Sequence, residues 1–324
     1  MLPSAHSTPI LELERLAIGF AGRDGVLPAI EDFSLAIGEG EIVGLVGESG
    51  SGKTLVSLAV MGLLPPSARI TGGAVRLRGQ DLLTQSSGRL QAIRGKTVAM
   101  IFQDPMASLD PIFTCGDQLI EAIQLHEPVS RAEARDRALV LLERVRMSDP
   151  GRCMRSYPHE MSGGQCQRVM IAMALSCNPA LIIADEPTTA LDVTVQAQVL
   201  KILREIQEQS GVAILLITHD LGVVYEVTDR VAVLYAGRLM EAADTRALFE
   251  APRNPYTQAL IGSIPAVGER HARLKTVDGR VPGLGDRPAG CPFSPRCGLA
   301  DARCKAEFPA PRMVGLSIVN CWKA

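Results

Sequence analysis

The stretch Gly47-Glu48-Ser49-Gly50-Ser51-Gly52-Lys53-Thr54 fills every defined position of the pattern G-x-x-x-x-G-K-[ST]. The pattern works only between a buried strand and the helix that follows it, and both flanks are legible. Glu41–Gly47 reads as a buried apolar strand, and Lys53–Leu64 has helical length before Pro65-Pro66. The chemistry follows from the residue types. Glycines let the backbone curl so that successive N–H groups converge on phosphate oxygens. The helix amino terminus adds partial positive charge. Lys53 suits the outer phosphates and the Thr54 hydroxyl suits Mg²⁺. The plainer reading, a glycine-rich turn that matches by accident, leaves the strand and helix on either side unexplained.

The rest of the chain supplies a sheet for that loop. Val98–Phe102, Leu181–Ala184 and Val212–Thr218 are short apolar runs of strand type. Helical patterning covers Asp117–Met147, Met170–Leu175 and Val193–Gln209. The first of these breaks at Pro128, and Ser130-Arg131-Ala132-Glu133 fits a capping box for its restart. Apolar strands alternating with helices predict a parallel sheet covered on both faces. From Leu11 to about Ala36, alternating runs read as strands around a turn-rich break at Ala21–Gly25. After about Leu239 proline and glycine become frequent, strands fade past Gly262, and the last 35 or so residues look loop-rich. Such a segment needs a staple. No internal repeat is visible.

In an open parallel sheet, ligands bind at the carboxyl ends of the strands. Leu181-Ile182-Ile183-Ala184-Asp185-Glu186 places two carboxylates at such an end. Asp185 suits Mg²⁺ held through water, and Glu186 suits polarising the water that attacks a γ-phosphate. The competing reading is a strand-end turn with solvated acids.

Composition sets the outer bounds. A chain of 324 residues fits one large domain, or a large one plus an appendix. With 33 Lys+Arg against 35 Asp+Glu, a net charge of −2 gives no support to polyanion binding. At 47% hydrophobic and 21% charged, the chain can bury a sizeable core. Mean hydropathy is +0.16, yet no apolar stretch approaches the ~18–20 residues of a membrane span. The candidates Leu55–Leu64 and Val212–Ile217 are too short or interrupted, and Glu12 and Glu14 stand where a secretory signal wants an apolar run. The expectation is a cytosolic protein with many buried strands, docked on a membrane partner.

The eight cysteines divide unevenly. Cys115, Cys153, Cys166 and Cys177 are scattered and read as small core or surface residues. Cys291, Cys297, Cys304 and Cys321 crowd into the last 34 residues, which in a reducing cytosol points to metal and not to disulfides. Their spacing, C-x5-C-x6-C-x16-C, lacks the paired C-x2-C knuckles of a zinc ribbon. Four thiolates suit a [4Fe–4S] cluster or zinc, with plain thiols the third reading.

Other segments then become legible together. Met161-Ser162-Gly163-Gly164-Gln165 resembles the L-S-G-G-Q signature of ATP-binding cassette (ABC) ATPases, with a mild apolar swap at Met161. Gln103 resembles the family's Q-loop glutamine, Ala190-Leu191-Asp192 its D-loop, and His219 its switch histidine. Phe20 resembles its aromatic platform for adenine, although a lone phenylalanine is more often core. The resemblance implies an α/β P-loop NTPase of the ABC-ATPase fold: a RecA-like core, an antiparallel β subdomain and an α-helical signature subdomain. It places a nucleotide-binding domain at 1–250, its helical subdomain at about 105–170, and a cysteine-bearing extension at 251–324.

The resemblance also implies roles. ATP would be bound by Phe20, Gly47, Glu48, Ser49, Gly50, Ser51, Gly52, Lys53 and Thr54. It would be capped by Ser162, Gly163, Gly164, Gln165 and Asp192 in a head-to-tail pair of cassettes. Mg²⁺ would be held by Thr54, Gln103 and Asp185, and hydrolysis would involve Glu186, His219 and Gln103.

Further phrases narrow the family. Tyr157-Pro158-His159-Glu160, the run DEPTTALDVTVQAQ over Asp185–Gln198, Asn254-Pro255-Tyr256-Thr257-Gln258-Ala259-Leu260 and Cys291-Pro292-Phe293-Ser294-Pro295-Arg296-Cys297 are similar to the ATPase subunits of oligopeptide/dipeptide (and nickel) importers. Some members carry a [4Fe–4S] cluster in a tail like this one, which implies Cys291, Cys297, Cys304 and Cys321 as its ligands. The implied protein is an ATPase energising uptake of di- or oligopeptides, peripheral at the cytoplasmic face of the inner membrane. Its implied partners are two transmembrane permeases, a second ATPase (a heterodimer, with a homodimer the alternative) and, indirectly, an extracytoplasmic solute-binding protein. No nucleic acid is expected. The alternatives are an importer of nickel or another small solute, a soluble cassette ATPase of DNA repair or translation, and a small P-loop kinase. The second usually brings coiled-coil insertions or two cassettes in one chain, and the third does not need a Ser-Gly-Gly signature. The solute itself is not legible in this chain.

Overall fold

The strand ahead of the phosphate loop, Ile42–Val46, is buried along its whole length, as a run of Ile, Val and Leu without polar alternation requires. In the computed structural model, which describes residues 9–22, 25–189, 191–264 and 278–324, this strand pairs in parallel with Arg230–Tyr235. The ladder continues antiparallel through Arg238–Asp244, Ser317–Val319 and Arg312–Val314. A separate antiparallel sheet runs in the order Gly25–Ile37, Leu11–Gly22, Ala68–Leu77, Gln80–Asp81. These strands belong to the first of two compact units, which comprises the chain up to Gly38, Ile42–Leu83 and Ile217–Ala324.

Two expectations are corrected here. The helix after the loop is Lys53–Met61 and does not run on to Leu64. Gly62, at φ 61°, turns left-handed and donates its N–H to the Ala59 and Leu58 carbonyls, so a glycine cap ends the helix before the prolines do. The tail is not strandless either. Arg312–Val314 and Ser317–Val319 form a hairpin that extends the sheet at Arg238–Asp244. Strands of three residues are too short for a two-residue period to show in sequence.

One apolar cluster ties the loop strand to the tail. Val46, Val231, Val233, Tyr235, Met240, Tyr256 and Phe293 are buried in it, with Cys291 and Cys297 packed against it. Tyr235, Tyr256 and Phe293 form an aromatic triangle with ring centroids 4.6, 5.3 and 5.1 Å apart, in tilted and edge-to-face geometry. Two buried polar residues beneath are hydrogen-bonded. Glu241 is completely buried, and its carboxylate accepts the backbone N–H groups of Arg253 and Asn254. Asn254 then caps helix Pro255–Gly262 by accepting the Tyr256 N–H at 2.9 Å, while its amide donates to the Met240 carbonyl. The phrase Asn254–Leu260 is thus a helix start fastened to a buried carboxylate.

The second unit comprises Glu39–Glu41 and Thr84–Leu216. Val98–Ile101 and Leu181–Asp185 pair in parallel, and Ala213–Thr218 is next in sheet order. The helical stretch read around Pro128 is two helices, Cys115–His126 and Arg131–Arg144, and the Ser130 hydroxyl accepts the Glu133 N–H at the second start. Helix Gly163–Leu175 begins well before the expected Met170. A Cβ on Gly164 would stand 2.6 Å from Val195 Cγ1, so the small residue lets helix Val193–Ser210 pack close. Cys115, Cys153 and Cys166 are buried and Cys177 half-buried, and all eight cysteines are free thiols. Among the described residues no helix is long and apolar enough to cross a membrane.

Candidate functional site

The phosphate loop curls around its own lysine. Lys53 is 5% exposed, and its ammonium donates to the carbonyls of Gly47 at 2.8 Å and Glu48 at 3.2 Å. The Ser51 N–H closes the loop onto the Glu48 carbonyl, and the Gly237 N–H holds the Ser51 carbonyl. Gly47 at φ 155° could not be replaced, because a Cβ there would lie 2.1 Å from the Leu234 carbonyl oxygen. Gly52, left-handed at φ 105°, starts helix Lys53–Met61 with no side-chain cap and no acid in the first turn. A helix amino terminus without a side-chain cap or a first-turn acid, beside a buried ammonium, favours an anion. Thr54 is exposed on that first turn.

The tail grips this loop. The Glu48 N–H donates to the Tyr256 hydroxyl at 3.0 Å. The Glu48 carboxylate meets the Arg296 guanidinium in a two-pronged pair, at 2.5 and 2.9 Å. Glu48 belongs to the loop expected to bind ATP, and its side chain is engaged by Arg296. Sequence reasoning missed Tyr256 and Arg296 as loop contacts, and their only sequence signal is that each sits inside a phrase characteristic of the importer family.

In the second unit, Asp185 ends its strand 4% exposed. Glu186 follows, half-buried, at φ 48°. A non-glycine residue in the left-handed region is held there by its surroundings at a cost of about 1–3 kcal/mol, and such residues cluster at functional sites. Its Oε2 accepts from the Gln103 amide at 3.0 Å and from the Thr189 hydroxyl at 2.9 Å. The structure therefore brings Gln103 and Glu186 together and adds Thr189, which sequence reasoning did not single out.

The signature forms a capping box. The Ser162 hydroxyl accepts the Gln165 N–H at 3.3 Å, and Gln165 Oε1 accepts the Ser162 N–H at 2.9 Å. Ser162 and Gly163 are exposed and Gly164 half-buried. Asp192 caps helix Val193–Ser210 by accepting the Val195 N–H at 2.9 Å. Gln165 and Asp192 were expected as nucleotide contacts, and both serve a helix start here. Ala190 of the D-loop phrase lies outside the described residues. His219 is exposed after strand Ala213–Thr218. Phe20 is half-buried near the end of strand Leu11–Gly22, opposite Leu27 and Ala68.

Cys291, Cys297, Cys304 and Cys321 line one cavity, together with Met240, Phe293, Pro309 and Trp322. Burial pushes the Cys291 thiol up to about 11 and the Cys321 thiol upward too. The expected [4Fe–4S] cluster finds no ready-made site: among the described residues no three His, Cys, Asp or Glu side chains stand close enough to hold a metal ion.

Known proteins resemble this chain along nearly all of it. Residues 30–189 match the family model for ABC transporters, and residues 240–304 match that for the oligopeptide/dipeptide transporter C-terminal region. The dipeptide transport ATP-binding protein DppD of Escherichia coli (strain K12) is 46% identical over 305 residues, covering 94% of this chain and 93% of that protein. DppD of Bacillus subtilis (strain 168) is 45% identical over 315 residues, covering 97% and 94%. Among solved structures, the dimeric post-hydrolysis state of the cassette MJ0796 bound to ADP and Pi superposes with a TM-score of 0.66 at 28% identity, over 73% of this chain and 99% of that one. CbiO1 of Clostridium perfringens, part of the transporter complex CbiONQ, gives 0.65 at 25% identity, over 76% and 92%. The fold is therefore that of the ABC ATPase cassettes, and the chain belongs to the ATP-hydrolysing subunits of ABC transporters, in the group that carries the oligopeptide/dipeptide transporter C-terminal region.

Proposed function

We propose that this chain binds ATP on the loop 47–54 and hydrolyses it to drive import of di- or oligopeptides, as a peripheral subunit at the cytoplasmic face of the inner membrane. The observation that carries the hydrolytic reading is the Glu186 carboxylate, held at a strained strand end by Gln103 and Thr189. The peptide reading is supported by the match of residues 240–304 and by the dipeptide transport proteins this chain is similar to.

Each residue has a defined task in this reading. Lys53 exchanges its loop carbonyls for β- and γ-phosphate oxygens, and the positive end of the helix that starts there offsets the rest of the phosphate charge. Phe20 offers a face to adenine. Thr54, Gln103 and Asp185 would hold Mg²⁺, whose charge offsets that of the phosphates. Glu186 accepts a hydrogen bond from the attacking water and orients it in line with the bond to the leaving ADP oxygen. His219 donates toward the γ-phosphate. Ser162, Gly163 and Gly164 serve the nucleotide of a facing cassette, with Asp192 and Gln165 shaping that surface. The nucleotide-binding part spans 1–250, with helices of the signature region over about 105–170, and 251–324 is the extension.

Capture of the tagged full chain from its membrane is the test. Two integral membrane proteins and a second, different cassette chain are expected to co-purify. The complex in proteoliposomes, supplied with its solute-binding protein, should accumulate a dipeptide only with ATP. A freely soluble ATPase without membrane partners would refute the reading, and uptake of nickel without peptide would replace the cargo.

Cys291, Cys297, Cys304 and Cys321 hold a [4Fe–4S] cluster in this reading, supported by four free thiols lining one cavity. A cluster gives each thiolate its own iron. When bound it supplies a four-point cross-link to the tail. Anaerobic purification should yield a brown protein with about four iron atoms per chain, lost in Cys304→Ser. Zinc without iron, or neither metal, would overturn the assignment.

A further inference from the structure

Arg296 lies between two of the tail cysteines in sequence, yet its guanidinium ends on the phosphate loop. Its side chain is 6% exposed, and both terminal nitrogens pair with the Glu48 carboxylate. Two further donors are also employed: Nε donates to the Asp278 carbonyl at 2.8 Å, and Nη1 donates to the Tyr235 hydroxyl at 3.1 Å. The Phe293 and Tyr235 rings lie 5.8 and 5.6 Å from the guanidinium carbon. A planar fork fixed at this many points cannot follow a mobile partner, so it fixes the partner. Tyr256 holds the same residue by its backbone, accepting the Glu48 N–H.

Two physical consequences reach the nucleotide. A loop already held in its curled shape loses less conformational freedom when a ligand orders it. In addition, Glu48 is a carboxylate inside the loop that must receive a polyanion. Unpaired, it repels the phosphates; paired with Arg296, it does not.

We propose that Arg296 is a positioning residue of the nucleotide site, fixing and neutralising Glu48, so that the C-terminal region is a working part of the phosphate loop. This rests on ATP occupying the loop 47–54. It gives the tail a task in the first unit that the cassette alone does not supply. It also explains why Tyr256 and Arg296, from two separate phrases of the tail, converge on a single loop residue.

The test is equilibrium binding of ATP with Mg²⁺ to the purified full chain, read by calorimetry beside thermal unfolding. Arg296→Met is expected to weaken ATP binding about tenfold, because it leaves Glu48 charged and unpaired. Glu48→Gln should cost only about two- to threefold, because it removes the repulsion along with the anchor. The double variant should bind ATP better than Arg296→Met alone, and Arg296→Lys should recover most of the loss by restoring the charge. Unchanged affinity in Arg296→Met with a lowered melting temperature would reduce Arg296 to a structural strut and overturn the proposal. Losses that simply add in the double variant would overturn it as well. If Arg296→Met does not fold, Glu48→Gln and Arg296→Lys carry the comparison: affinity like wild type in Glu48→Gln with a tenfold loss in Arg296→Lys would exclude neutralisation. Lys53→Ala separates this inference from its foundation. If Lys53→Ala also leaves ATP affinity intact, the loop assignment has failed; if it removes binding while Arg296→Met does nothing, only the role of Arg296 has failed.

Discussion

Replacing Glu186 by glutamine is expected to leave ATP binding unchanged and to lower steady-state hydrolysis by about 100- to 10,000-fold, the range supplied by a positioned general base. The argument rests on what the amide keeps and what it loses. Glutamine keeps the shape of the side chain and one oxygen, so it can still accept from the Gln103 amide and the Thr189 hydroxyl, as Glu186 Oε2 does now. The strained backbone at φ 48° is held by the same neighbours and is not relieved by the change. The amide loses the negative charge and the second strong acceptor that polarise a water. Nothing on the phosphate loop is touched, so affinity is preserved. Phosphate release under saturating ATP, compared with calorimetric ATP affinity on the same preparation, decides the matter. Hydrolysis close to wild type would remove Glu186 from the water-activating role. A parallel fall in affinity would show that it holds the nucleotide and does not act on the water.

What could be read from the sequence depended on how local the information was. The phosphate loop was legible because its constraints lie within eight residues: the glycines that allow positive φ, the lysine that folds back on the loop, and the strand and helix on either side. Gln103 and Glu186 were each singled out, Gln103 only through the order of motifs in a resembling family, but their hydrogen bond was not foreseen. The two residues are 83 apart, and no local pattern joins them. Arg296 and Glu48, 248 residues apart, were both in view as parts of separate phrases, but their contact was not. The hairpin Arg312–Val319 escaped because its strands are short and its partner, Arg238–Asp244, supplies the ladder from far away in the chain. The start of helix Gly163–Leu175 escaped because glycine reads as a breaker, whereas at Gly164 it answers to the approach of Val195. The four tail cysteines were legible as a group and line one cavity. That they share a cavity comes from tertiary packing and not from their spacing in the chain.

Lys53→Ala is expected to weaken ATP binding by about 100-fold, from the loss of charge-assisted hydrogen bonds to phosphate worth about 1.5–3 kcal/mol each. The ammonium is nearly buried and is held by the Gly47 and Glu48 carbonyls. Those two bonds serve in place of water for the charge and keep the loop curled while no phosphate is bound. Alanine removes the cation and also leaves two inward-facing carbonyls without their donor, so the melting temperature should fall as well. The two effects are separable. Lys53→Arg retains a cation and can still satisfy the carbonyls, but it replaces a compact ammonium with a bulkier planar fork. It should therefore recover stability more than affinity. If alanine lowers stability while ATP binds as tightly as before, the lysine is only an internal brace of the loop. If affinity falls and stability does not, the carbonyls have found water, and the ammonium acts on phosphate alone. Loss of both, with arginine restoring only stability, assigns Lys53 both tasks: it holds the loop in the shape phosphate requires, and it is the charge that phosphate meets.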